Sequence, residues 1–363
     1  MTTRRRFLAG LAAASALPRP TWADAGAPVY LAAARDAAGA YRLCGLSDAG
    51  AVIFDLPLPD RGHAAAAHPT RPEAIAFARR PGTFALVIDC AEGRETRRLT
   101  APPTRHFYGH GAFSSDGRTL YTTENDLDTL TGVLGVWDAA AGYARLGEIP
   151  TGGTGPHEVI RLPGTDTLVV ANGGIETHPD SGRAALNPAT MRASLAYVDP
   201  DSGPVEVVEL SPDLRQNSIR HLAARPDGTV AAAMQWQGDE AALPPLLMTH
   251  RRGTDPRLLA APEPDQIRLR NYAGSVAISG DGTEAAITSP RGGVMHRFRL
   301  SDGAFLGATA LADVCGVARA ATGFFLTTGT GRLGLADAPL GTAPGLQWDN
   351  HVVAIGGAGT QSA

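Results

Sequence analysis

His110-Gly-Ala-Phe-Ser-Ser-Asp116-Gly117-Arg-Thr-Leu-Tyr-Thr-Thr-Glu124 reads as a strand, a tight Asp-Gly turn and a second strand. The pattern returns at His221-Leu-Ala-Ala-Arg-Pro-Asp227-Gly228-Thr-Val-Ala-Ala-Ala-Met234 and at Ser275-Val-Ala-Ile-Ser-Gly-Asp281-Gly282-Thr-Glu-Ala-Ala-Ile-Thr288. Each Asp-Gly falls at the same offset, because the hairpin tip needs a residue at positive φ. Weaker copies begin at His63, His157 (turn Pro163-Gly164) and Cys315. Successive starts lie between 36 (315 to 351) and 64 (157 to 221) residues apart, near the length of a four-stranded propeller blade.

Around these units, short β-rich runs alternate with Gly, Pro, Asp and Asn, and no long window has helical periodicity. With 43 Gly and 27 Pro, helix is disfavoured over most of the chain. A single helical turn is expected near 238–245. The third and fourth strands of one unit read as Gly132–Asp138 and Tyr143–Ile149. The C-terminal Trp348-Asp-Asn-His351-Val-Val-Ala-Ile355 offers a first strand only, and the N-terminal Pro28–Ala34, Tyr41–Leu46 and Ala51–Leu58 lack one. Joined, they complete a blade and remove the exposed sheet edges of an open array. The fold expected is all-β, a single seven-bladed β-propeller over 26–357 closed by one C-terminal and three N-terminal strands. The unclear fourth strand of unit 315–347 leaves six or eight blades open.

The first 25 residues predict export. Thr3-Arg4-Arg5-Arg6-Phe7-Leu8 is a twin-arginine pattern, followed by an apolar run to Leu17 and a small-x-small cleavage site at Ala23-Asp24-Ala25. That run is too short to span a ~30 Å hydrocarbon core. A signal peptide over 1–25 and a periplasmic mature protein follow, with 358–363 as a disordered tail. The chain carries 32 basic residues, all arginine, against 36 acidic ones. Removing four Arg and one Asp with the leader leaves 28 against 35, a net charge of −7. Such a surface argues against a nucleic-acid partner. Cys44 and Cys90 lie in apolar strand-like runs, either as buried thiols or as half of a bridge. An odd count leaves one cysteine unpaired, and Cys315 is the candidate.

The innermost strand of each blade faces the central channel. The strand starts in order are His63, His110, His157, His221, Ser275, Cys315 and His351, so five of the ten histidines share one phase. They are expected to converge at the channel mouth as transition-metal ligands, with Cys315 as a sixth. Imidazole and thiolate suit Fe, Cu or Zn, whereas Mg and Ca prefer oxygen. The opposing expectation is that the histidines bond to backbone carbonyls of neighbouring blades and merely plug the channel. Second-strand ends and loops add further polar residues to that face: Glu124, Asp126, Glu158, Asn172, Glu176, His178, Arg220, Gln235, Gln237 and Arg291. His68 is expected on the opposite face, solvated, and His106, His250 and His296 outside the site. No Ser nucleophile elbow, P-loop, dinucleotide fingerprint or C-x-x-C-H occurs, which leaves out nucleotide and covalent haem.

The local phrases Tyr108-Gly-His-Gly-Ala-Phe113, Tyr121-Thr-Thr-Glu-Asn-Asp126, Gly155-Pro-His-Glu158, Ala171-Asn-Gly-Gly-Ile-Glu-Thr-His-Pro-Asp180 and Gln216-Asn-Ser-Ile-Arg-His221 carry a resemblance. It continues through Ala233-Met-Gln-Trp-Gln-Gly-Asp239, Asn271-Tyr-Ala-Gly-Ser-Val276, Thr288-Ser-Pro-Arg-Gly-Gly293 and Trp348-Asp-Asn-His351. Together they resemble an uncharacterised family of twin-arginine-exported periplasmic β-propellers encoded beside imelysin-type iron proteins and di-haem-peroxidase-like proteins. What the resemblance implies is a role in iron acquisition or handling, with those neighbours as partners and no assigned reaction. A propeller that docks such partners without metal, or an enzyme of lactonase or quinoprotein type, are the alternatives.

Overall fold

A computed structural model describes residues 19–79, 84–182 and 184–356. It consists of seven four-stranded antiparallel sheets. Blade 1 takes its inner strand, Gln347–Ala354, from the C-terminus and Tyr30–Arg35, Tyr41–Leu46 and Val52–Leu58 from the N-terminus. Blades 2 to 6 have inner strands Gly62–Ala67, Arg105–Phe113, Pro156–Arg161, Asn217–Ala224 and Ser275–Ile278, each followed outward by three more strands. Blade 7 runs from Val314–Arg319 to Gly341–Thr342, and its two-residue outer strand explains why the sequence pattern faded there. The blade count and the joined closure agree with expectation.

The turn chemistry holds where it was read. Gly117, Gly228 and Gly282 have φ of +70°, +85° and +72°, at the tips between first and second strands. The core is divided among blade interfaces. One apolar cluster fills each, from Leu31, Leu43 and Ile88 between blades 1 and 2 to Tyr30, Phe325 and Trp348 between blades 7 and 1. Every blade therefore buries both faces, and none is stable alone. The expected helical turn is reduced to a single hydrogen bond, from the Ala242 N–H to the Asp239 carbonyl. A short helix, Glu263–Gln266, sits between blades 5 and 6.

All three cysteines are free, buried thiols, so Cys44 and Cys90 are not joined. Cys44 packs between blades 7 and 1 and Cys90 between blades 1 and 2. The twin-arginine pattern, the apolar run and the tail at 358–363 lie outside the described residues. Ala23-Asp24-Ala25 belongs to a short 3-10 helix, Trp22–Ala25. Its Trp22 indole N–H donates to the His68 carbonyl at 2.9 Å, and Ala25 is buried between blades 1 and 2.

Candidate functional site

The inner strands position the site, and they do so through irregularity. Pairing of inner with second strand slips between Gly62 and Ala65, Phe107 and Gly111, Pro156 and Glu158, and Ile219 and His221. In blade 1 the slip lies between Trp348 and Val352. Each of these slips lies at or next to a histidine of the predicted set, and blade 7 slips likewise between Val314 and Val317, at Cys315. Blade 6, whose inner strand carries Ser275 instead, pairs without one. A β-bulge breaks the alternation of side chains and re-aims one of them. Here it turns the imidazole toward the propeller axis.

In blade 3 the bulge has a further device. Gly109 has φ +102°, and a Cβ on it would come within 2.6 Å of His63 Cδ2. Only glycine lets this backbone pass over the neighbouring ring. The bulges also correct the expected placement, because the inner strands of blades 3 and 5 begin at Arg105 and Asn217. His110 and His221 therefore lie within their strands, whereas His63 and His157 are the second residues of theirs.

Five imidazoles meet on the axis. His63, His351, His221 and His157 close a ring, with successive centroids 4.5, 4.5 and 4.7 Å apart and 5.8 Å from His157 back to His63. His110 lies 4.8 to 5.7 Å from all four. His63, His110, His221 and His351 are buried. Two triads, His63/His110/His351 and His110/His157/His221, bring one nitrogen per residue within 4.8 Å of one another, and they share His110.

His63 Nδ1, His110 Nε2, His157 Nδ1 and His351 Nε2 are buried with no hydrogen-bond partner. The carbonyl bonds of a channel plug are missing at these four atoms. Burial holds His63, His110, His157 and His351 well below the usual imidazole range; neighbouring positive charge adds to the effect, and at His110 the Glu158 carboxylate opposes it. His221 is lowered to about 3, by burial and then by the Arg220 guanidinium. Neutral imidazoles with free lone pairs are the form a transition metal binds.

Glu158 ties two of the rings together. Its carboxylate lies 3.2 Å from His221 Nδ1 and 3.7 Å from His110 Nδ1, and it accepts the Leu222 N–H at 2.9 Å. Burial raises the Glu158 carboxyl, against the pull of His110 and the Leu222 N–H. A carboxylate on Nδ1–H turns Nε2 toward the axis and makes it a stronger donor. Arg220 is buried beside the ring and depresses both His157 and His221.

The other predicted residues are not brought to the imidazoles. The Cys315 thiol donates to the carbonyls of Trp348 and Thr327, at 3.5 and 3.6 Å, and its burial pushes it up to about 12. A buried protonated thiol is not the thiolate a metal requires. Glu124 accepts from Arg145 and Thr122, both at bonding distance, inside blade 3. Asp126 caps its own turn by accepting the N–H of Asp128, and it pairs with Arg105. Asn172 bonds Thr151 and Ser194, and Gln235 donates to the Ala273 carbonyl. Gln237 donates to the Gln235 carbonyl, and the Arg291 guanidinium stacks on Tyr272 at 4.2 Å. In the loop after the second strand of blade 4, the Glu176 N–H donates to Asn187, and half-buried His178 faces Asp180. These second-strand ends stitch blades and loops together.

Of the remaining histidines, His68 is buried rather than solvated. Its Nδ1 accepts from Thr70 and Arg71, and its Nε2–H donates to the Gly117 carbonyl. His250 bonds Tyr197 and the Thr254 carbonyl, and His296 packs against Phe305. His106 is buried at the start of the blade 3 inner strand, away from both triads.

Residues the sequence reading did not single out close the strand-start end of the axis. Asp349 is buried and paired with Arg61 at 2.6 Å and Arg79 at 3.4 Å. The Tyr108 hydroxyl meets Thr177 Oγ1 at 3.0 Å. Their signal was present in Trp348-Asp-Asn-His351 and Tyr108-Gly-His110, where each lies two residues before a ring histidine. Toward the other end, a cavity of about 710 Å³ extends from His110, His221, His351 and Glu158 to the hairpins between first and second strands.

Fold and site together define a seven-bladed β-propeller with a buried axial histidine cluster. The chain belongs to the family described as "Protein of unknown function (DUF1513)", whose profile matches residues 56–355. No curated protein matches it.

Proposed function

We propose that this protein is a periplasmic metal-binding propeller that handles iron or copper through its axial imidazoles. One observation carries the reading: four imidazoles of the two triads each carry a buried nitrogen without a hydrogen-bond partner, where each would otherwise bear a desolvation cost. An all-imidazole set suits Cu, Fe, Zn and Ni. Calcium chemistry of the lactonase kind is disfavoured, since among the described residues Glu158 alone pairs a carboxylate with the ring. Periplasmic placement rests on the twin-arginine leader. The choice of iron and the pairing with imelysin-like or di-haem-peroxidase-like proteins rest on the resemblance of the local phrases.

The test is elemental analysis of protein exported through its own leader, beside a His110→Ala/His221→Ala double variant. One equivalent of Fe or Cu in the native chain and a trace in the variant is the expected outcome. Equal, sub-stoichiometric metal in both sinks the reading.

A further inference from the structure

The axial cavity is far larger than an ion needs. A water occupies roughly 30 Å³ of liquid, whereas this cavity holds about 710 Å³, within the ~300–1,000 Å³ span of small-molecule sites. Its floor is His110, His221, His351 and Glu158. Its wall is an apolar belt drawn from successive inner strands, including Ala65, Ala112, Ile160, Ala223, Ala277 and Val317. Its far end is reached at hairpin residues such as Thr70, Ser115, Asp166 and Pro226. The strand-start end is occupied by the Arg61–Asp349–Arg79 bridge and by Gly109 lying over His63.

We propose that this channel is a binding site for a small, planar organic ligand with an apolar body and a phenol- or catechol-type oxygen at one end, which enters from the hairpin face and donates that oxygen to a metal on the imidazole floor. The inference rests on the metal reading and goes further, because it names what the metal meets. Each triad has two of its three imidazoles on the cavity, His110 with His351 or His110 with His221, so a metal held by either faces it and keeps a position open for an outside donor, as catalytic metal sites do. The belt between floor and rim is apolar, and the charged side chains that line the cavity above the floor, Arg161, Asp166 and Arg319, stand at its hairpin end. A polycarboxylate chelate such as citrate would leave charges desolvated along the wall, whereas an aromatic ring would bury favourable area there.

The experiment titrates 4-nitrocatechol into full-length, metal-replete protein and follows its visible band, with citrate as competitor. A saturable one-to-one shift that excess citrate leaves in place is expected. Ala64→Phe and Ala112→Phe, each placing bulk on the channel wall, keep the metal and weaken the apparent Kd at least tenfold. Two filling variants are used so that misfolding of one leaves the other. A metal-replete native chain that gives no saturable shift overturns this inference alone. So does a shift that both metal-retaining variants reproduce unchanged, or one that citrate abolishes in proportion to its concentration. A chain that takes up no metal overturns this inference together with the functional reading.

Discussion

His110 is the residue on which both triads depend, since each counts it among its three donors. His110→Ala is therefore expected to lower metal affinity by more than ~100-fold, while His63→Ala or His157→Ala leaves one triad intact and costs less. Chelator-competition titrations rank the three; equal losses would remove the shared-ligand view. Glu158→Gln keeps the shape but weakens the hold on Nδ1 of His110 and His221, and the expected loss is about 10–100-fold. The imidazoles were legible in the sequence because a repeat places like residues in like positions. Their orphaned nitrogens were not, since hydrogen bonding depends on neighbours supplied by other blades. Cys315 shared the phase of the histidines, yet its inner strand sends the thiol to the Thr327 and Trp348 carbonyls. Phase in a repeat fixes where a backbone goes, and the local bulge decides where its side chain points.

At the level of elements, the hairpin tips offer a graded comparison. Gly117 and Gly228 both hold positive φ, but a Cβ on Gly117 would fall on the His68 ring, whereas Gly228 has open space. Alanine at either should cost about 1–3 kcal/mol for the strained backbone, with Gly117 at the upper end or beyond. Denaturation midpoints of the two variants check the order. The Asp-Gly turns were readable because a left-handed tip leaves a residue-level mark. The length of the inner strands was not, because extra bulge residues look like ordinary strand sequence. That is why Glu124, Asn172 and Gln235 were expected beside the imidazoles and instead tie strands and loops together. The polar residues at the ends of second strands carried the same composition as a binding face, and only pairing partners distinguish the two.

For the whole molecule, seven histidines have lowered folded-state values: His63, His110, His157, His221 and His351 on the axis, with His68 and His296 both brought to about 4 by burial. Each stays neutral in the fold and is protonated in the unfolded chain below about pH 6.5, so the unfolded state binds more protons as pH falls. Stability of the metal-free protein should drop steadily from about pH 6.5 toward pH 4, by up to ~1.4 kcal/mol per pH unit for each imidazole that remains uncharged. Thermal melts at pH 7.5, 6 and 5 read this directly, and a flat profile would contradict the buried, neutral state. Closure adds a condition of its own. The inner strand of blade 1 is Gln347–Ala354, and His351 arrives with it. His351 therefore joins the other imidazoles only when the closing strand is seated. A chain cut before Gln347 would lack His351 together with the strand that closes the circle, so on the proposed reading an unclosed propeller would also be short of one donor.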